Sequence, residues 1–192
     1  MGNISRSGQS ETNLIQMPRA RVDVRNSAMS IDYLILNYEN FLDKERPYYP
    51  WAERFVMGFP LPAWQRGFVW TEAQQRRFIA SVWSKGDLGS YLVNGWDMAN
   101  DGQFKPYSNL LLDGQQRLTT LQRYVDNELP VEDVNGVACY WRDLGKREQR
   151  RFGGTTFSRC DFTTWDEALL RELYDLRNFS GTPHLPSERA CT

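Results

Sequence analysis

Leu110-Leu111-Leu112-Asp113-Gly114-Gln115-Gln116-Arg117-Leu118-Thr119-Thr120-Leu121 decides how the rest of the chain is read. Consecutive leucines suit a short strand covered on both faces, because successive side chains point to opposite sides of a sheet and here both must be apolar. Gly114 permits a sharp turn or a close backbone approach. Beyond it Leu118, Leu121, Val125 and Leu129 recur at helical spacing and give one apolar face. The stretch is therefore a strand, a tight turn and the first turns of a helix, with polar groups packed at the handover. Unbonded N–H groups and the positive end of the helix dipole gather at such a junction, and an anion, most often a phosphate, is its natural ligand. Taken singly, Asp113 reads as an N-cap and Arg117 as a surface arginine; taken together, Asp-Gly-Gln-Gln-Arg reads as a site.

Composition narrows the classes. At 192 residues the chain suits one domain with a sizeable core. A net charge of −1 supplies no global field toward nucleic acid or membrane, so any nucleic-acid contact must rest on a local patch. Cys139, Cys160 and Cys191 lie far apart without metal-type spacing, which fits a reducing, cytoplasmic setting. The single histidine, His184, builds neither a His-rich metal site nor a two-histidine nuclease. No apolar run approaches the roughly 20 residues of a membrane span and no secretory signal opens the chain, so no membrane partner is expected.

Outward from the central stretch, residues 1–20 are polar and aperiodic and read as a flexible N-terminal arm, with one domain over 21–192. Val22 and Val24 suggest a short strand. Ser30 suits an N-cap, followed by Ile31, Leu34, Ile35, Tyr38, Phe41 and Leu42 at helical spacing until Pro47 and Pro50. The aromatic loop Tyr48-Tyr49-Pro50-Trp51 suits core packing or, on the sharper reading, base stacking. Phe55 to Trp70 is an extended, proline-punctuated segment that delivers Gln65 and Arg66. Thr71 and Gln74 form a capping box, and their helix buries Phe78, Ile79, Val82 and Trp83. Ser90 to Asn94 reads as a strand, Gly95 to Ser108 as a polar loop, and Val137 to Trp141 as another strand.

Arg142 to Phe152 reads as a charged helix whose Arg147, Arg150 and Arg151 are candidates for a nucleic-acid phosphate patch, the alternative being a solvated face. Asp143 and Glu148 dilute it. Binding through it would be weak and salt-sensitive, each phosphate contact adding about −0.9 to the salt slope. Phe157 to Phe162 is extended. Thr164 and Glu167 suggest a second capping box, with Trp165, Leu169, Leu173 and Leu176 on one helical face. Arg177 to His184 has loop composition but is too specific for a simple tail.

Three blocks carry a family resemblance: Pro62-Ala63-Trp64-Gln65-Arg66-Gly67-Phe68-Val69-Trp70-Thr71; the helix end at Ser81 with Leu88-Gly89-Ser90; and Leu112 to Leu121. Together they resemble the ParB/sulfiredoxin-like domain of the small subunit of GmrSD-type modification-dependent restriction systems and of SspE-type phage-defence proteins, whose hallmark is the Asp-Gly-Gln-Gln-Arg element. The resemblance implies an α+β fold, a small mixed sheet flanked by helices. It also implies nucleotide binding and, in several members, nucleotide hydrolysis. Members often carry a separate HNH nuclease domain, for which this chain leaves no room, so nuclease activity is not expected of it.

The resulting expectation is an NTP-hydrolysing domain in a bacterial or phage restriction, defence or counter-defence context, with Mg²⁺ as cofactor and an NTP, DNA and a nuclease or defence protein as partners. Asp113, Gln116 and Arg117 are the catalytic candidates. Gln65, Arg66, Gly114, Gln115 and Arg117 are the phosphate-binding candidates. Arg66 and Arg117 would clamp phosphate oxygens. Asp113 would hold Mg²⁺ or accept a proton, and Gln115 or Gln116 would orient the attacking water. The alternatives are a non-catalytic DNA-binding or inhibitor module of the same fold, or a metal-dependent DNA nickase.

Overall fold

The computed structural model describes residues 17–179. Most of the expected N-terminal arm lies outside the described residues, as do His184, Cys191 and the segment from Ser180 onward. In chain order the elements are β1 (Arg25–Ser30), α1 (Ile31–Asn40), β2 (Arg54–Val56), β3 (Phe59–Leu61), α2 (Glu72–Trp83), β4 (Ser90–Asn94), β5 (Leu111–Asp113), α3 (Gln115–Val125), β6 (Val131–Glu132), β7 (Ala138–Cys139), α4 (Lys146–Gly153), β8 (Thr156–Phe162) and α5 (Glu167–Phe179). The fold is α+β. A four-stranded sheet in the order β1-β8-β4-β5 forms its centre, with β8 antiparallel to β1 and parallel to β4, and β4 antiparallel to β5. Two small hairpins, β2-β3 and β6-β7, stand apart from it.

The leucine run does what its pattern demands. Leu110, Leu111 and Leu112 are all fully buried. Leu111 joins Tyr91, Val93, Phe157, Ile79 and Leu118 in the core under α1, α2 and α3. Leu110 and Leu112 join Leu92, Cys160, Phe162, Leu170 and Tyr174 under α5. Alternation along the strand thus feeds two cores, one on each face of the sheet.

Local chemistry sets most element boundaries. The Ser30 hydroxyl accepts from the Tyr33 N–H at 3.2 Å, so one residue ends β1 and caps α1. The strand expected around Val22 and Val24 begins only at Arg25. After Asn40 the helix widens into a π turn (Phe41–Glu45) and tightens into a 3₁₀ turn (Arg46–Tyr48), which holds Pro47. The widened turn shifts the helical register and leaves Leu42 exposed rather than on the buried stripe. Within the segment expected to be merely extended, Met57 and Gly58 take φ of 48° and 84° and close the β2-β3 hairpin, the handedness a two-residue hairpin turn requires. Thr71 and Gln74 form the expected capping box on α2.

Three expectations need correction. The strand expected over Val137 to Trp141 shrinks to Ala138–Cys139, because Trp141 opens a 3₁₀ turn in which Asp143 accepts the Tyr140 N–H at 2.9 Å. The same turn takes Arg142 off the charged helix, which starts at Lys146. The box expected from Thr164 and Glu167 does not form: Asp166 caps α5, its Oδ1 accepting from Ala168 N at 2.9 Å, while Thr164 Oγ1 accepts from Asp166 N. Trp165 therefore precedes the helix and is exposed, Leu176 is exposed as well, and α5 buries Leu169, Leu170 and Tyr174.

Since Leu111 packs on all sides in the larger core, Leu111→Ala is expected to cost about 2–5 kcal/mol of stability in chemical denaturation. Leu176→Ala is expected to stay within about 0.5 kcal/mol.

Candidate functional site

β5 ends on Asp113, and Gly114 turns the chain into α3 at φ 101°. That left-handed conformation favours glycine, and a Cβ at this position would lie 2.5 Å from the Tyr91 Cβ. The turn therefore depends on glycine for both backbone and space. The Gly114 N–H donates to Asp113 Oδ1 at 2.7 Å, and Gly114 O accepts the first helical bond, from Leu118 N at 2.9 Å. Asp113 is thus not the N-cap of α3. No side chain caps the helix, and the residues of its first turn line a cavity.

That cavity has a volume of about 150 Å³. Its floor is the junction itself, Asp113 to Arg117; Gln65, Arg66 and Trp70 come from the segment before α2, and Tyr174 and Asn178 from α5. The two segments singled out in the sequence, far apart along the chain, therefore meet at one place.

The three helix residues after Gly114 have different tasks. Gln116 is buried and makes three side-chain hydrogen bonds: its Oε1 accepts from Val69 N at 2.9 Å and Trp70 N at 3.1 Å, and its Nε2 donates to Gly67 O at 3.1 Å. It clips the segment before α2 in place. Arg117 is also engaged: Nη1 donates to Leu88 O and Nη2 to Ser90 O, both at 2.8 Å, and Nη2 meets Asp113 Oδ2 at 3.3 Å. Its guanidinium also lies 5.5 Å from the centre of the Phe157 ring. Burial pulls the Arg117 pKa below the usual arginine value, and the Asp113 carboxylate opposes that pull. Gln115 is buried on the cavity wall, and its side chain has no partner among the described residues.

Gln65 is equally buried. Its Nε2 donates to Leu112 O at 3.2 Å, while its Oε1 is buried without a hydrogen-bond partner. A buried acceptor in this state calls for a donor. Asp113 is shared: Oδ2 also accepts from Arg177 Nε at 3.1 Å, and Arg177 Nη2 reaches Ser90 Oγ. Arg177, Tyr174 and Asn178 were not among the residues assigned to the site, although the Arg177-Asn178 pair stood out from ordinary tail composition. On α5, residues 167, 171, 174 and 178 follow the 4-3-4 spacing of one helical stripe.

Both Asp113 oxygens are engaged, and no group of three or more His, Cys, Asp or Glu suited to a metal ion occurs among the described residues. The basic residues Arg147, Arg150 and Arg151 lie on α4, away from this cavity and exposed. Arg151 pairs with Glu148 at 3.1 Å and covers the Trp83 ring at 5.0 Å, so only part of that run remains for phosphate contacts.

Fold and site together define an α+β domain with a polar, arginine-lined cavity at a strand–turn–helix junction. Residues 39–183 match the family described as GmrSD restriction endonuclease, N-terminal domain, and the chain belongs to that family. Its context is therefore restriction and defence. Comparison with curated proteins and with solved structures finds no match. Among the described residues no helix is long and apolar enough to cross a membrane.

Arg117→Lys keeps the charge but loses the planar fork that serves two carbonyls and a carboxylate. It is expected to cost about 1–3 kcal/mol in denaturant titration. Gln116→Ala is expected to speed amide hydrogen exchange at Val69 and Trp70, whose N–H groups lose their acceptor.

Proposed function

We propose that this domain binds the phosphate groups of a nucleoside triphosphate at the start of α3 and hydrolyses the nucleotide there, in the manner the ParB/sulfiredoxin-like resemblance implies. The observation that carries the reading is the uncapped first turn of α3 opening on a cavity lined by Arg66 and Arg117. Amides at a helix N-terminus and nearby guanidinium groups complement a phosphate by partial and full positive charge together. A volume of about 150 Å³ suits a phosphate group and water rather than a whole nucleotide, so the nucleoside lies outward of it.

Phosphoryl transfer to water needs a held phosphate and a positioned water. Arg117 and Gln116 are committed to the scaffold, which leaves Gln115 to orient the water in place of Gln116. Gln65 Oε1 supplies an acceptor for one of that water's hydrogens. Asp113, already bonded to two arginines and an amide, balances their charge and sets how much positive field the phosphate meets. A Mg²⁺ ion is expected as counter-ion of the polyphosphate, arriving with it. The DNA-binding reading draws on α4 and on the N-terminal arm, most of which lies outside the described residues, and Arg151 of α4 is already paired with Glu148.

The test is phosphate release from ATP and GTP by the full chain, with and without Mg²⁺. Gln115→Ala is expected to lower kcat at least about tenfold, since a positioned polar group contributes on that order or more. Its thermal melt should shift less than that of Gln116→Ala, because the Gln115 amide holds no other part of the chain. Wild-type turnover in Gln115→Ala, or no nucleotide binding by the native chain, would overturn the proposal.

A further inference from the structure

A second cavity, of about 360 Å³, lies elsewhere on the domain and shares no lining residue with the one at α3. Its walls are aromatic. Tyr49 and Phe104 stack at 4.5 Å with an interplanar angle of 22°, and Phe41 and Trp96 stand on either side of them, at 6.3 Å from Tyr49 and from Phe104 respectively. Most aromatic clusters are core, and Phe41 and Tyr49 are buried as core residues are. Trp96 is not: it is 62% exposed at the cavity's lip, beside Met98 at 43% and Tyr33 at 40%. Large apolar side chains gathered in the open around a cavity mark a binding surface more often than a packing defect.

The loop that presents Trp96 is fastened rather than slack. The sequence suggested only a polar connection over Gly95 to Ser108. Instead Ser108 Oγ donates to Asp97 O at 2.9 Å and accepts from Asp97 N at 3.1 Å, and Lys105 pairs with Asp97 at 2.5 Å. Phe104 N donates to Tyr48 O at 2.9 Å, and Trp51 Nε1 donates to Phe104 O at 3.1 Å. The loop is thus tied at several points while it holds a tryptophan out of the core.

Polar groups meet the aromatic walls. The Asn37 side chain lines the cavity and has no partner among the described residues, leaving an amide donor and acceptor together. Asn109 donates to the Tyr49 hydroxyl at 2.7 Å through Nδ2, and its Oδ1 remains as an acceptor. Glu45 adds a carboxylate at the rim. Burial pushes the Tyr49 phenol up to about 12, so its hydroxyl stays protonated at ordinary pH, while Glu45 and Arg159 place a carboxylate and a guanidinium on the same lining.

We infer that this chamber receives a single flat heteroaromatic ring of nucleobase type, stacked on its aromatic wall and read at its edge by Asn37, Asn109 and Glu45. Every base offers a π face for such stacking, and an edge of mixed donors and acceptors matches an amide beside a carboxylate. The inference is independent of the phosphate reading, because the two cavities share no residue.

The experiment titrates the full chain with adenosine, guanosine, cytidine and thymidine, and separately with a mixed-sequence single-stranded oligonucleotide. Calorimetry gives affinity, and tryptophan fluorescence compared with Trp96→Phe isolates the Trp96 signal. Saturable binding that quenches Trp96 is expected with at least one probe. Affinity should fall tenfold or more in Trp96→Ala, whose exposed position leaves folding intact, and in Asn37→Ala. It should be unchanged in Gln115→Ala, which separates failure here from failure of the phosphate reading. Binding of free nucleosides assigns a free ligand, and binding of the oligonucleotide alone assigns a base presented on a strand; either supports the chamber. No saturable response to any probe overturns it. So does a response to tetramethylammonium without one to the bases, which would make the chamber a cation cage.

Discussion

The folded site depends on how one arginine is buried. A guanidinium removed from water is costly unless its N–H groups find acceptors. Arg117 meets two backbone carbonyls, Leu88 O and Ser90 O, and the Asp113 carboxylate. Those partners belong to the approach to β4, the start of β4 and the end of β5, so one side chain of α3 holds three other pieces of chain. Gly89 belongs to the same arrangement: a Cβ there would lie 2.7 Å from Arg117 Nη1. The tripeptide Leu88-Gly89-Ser90, noted in the sequence only as a block, is the carbonyl cradle for this guanidinium.

The division of labour in Gln115-Gln116-Arg117 follows from helix geometry. Successive residues point about 100° apart around the axis, at 3.6 residues per turn. Three adjacent polar residues cannot all face one ligand. One direction leads to β4 and takes the arginine, one to the segment before α2 and takes Gln116, and the third opens on the cavity and holds Gln115. Polar side chains consecutive at a helix start therefore form a junction between elements first, and only the one turned to the cavity is left without a task in the scaffold.

The fold was legible where a local pattern and a tertiary demand coincide. The leucine run, the Thr71-Gln74 box and the Ser30 cap each have one physical solution, and the structure adopts it. The strand–turn–helix junction of the candidate site was legible for the same reason, since a strand, a glycine turn and an amphipathic helix leave few ways to arrange their termini. The tasks of individual residues were not. Nothing in the sequence distinguishes Gln116, which binds two amides and a carbonyl across the chain, from Gln115, which has no partner among the described residues. The cap of α5 was missed because Thr164 and Asp166 both offer an oxygen near the helix start, and the shorter reach from Asp166 to Ala168 N wins. The Trp96 loop was hidden because its order comes from contacts with Tyr48 and Trp51, far back in the chain.

Asp113 joins scaffold and site, and its two arginines are not equivalent. Arg117 is mostly buried, with a side chain 20% exposed, and it is tied to two carbonyls. Arg177 is 40% exposed, with its other bond going to a serine hydroxyl on β4. An anion arriving at the first turn of α3 competes with Asp113 for positive charge. It can recruit Arg177 by rearranging an exposed side chain. To recruit Arg117 it would have to strip the carbonyls of Leu88 and Ser90 of their donor and loosen the start of β4. Of the two arginines on Asp113, the exposed Arg177 is therefore the one that a competing anion could draw away without loosening the junction, because Arg117 is held by the Leu88 and Ser90 carbonyls.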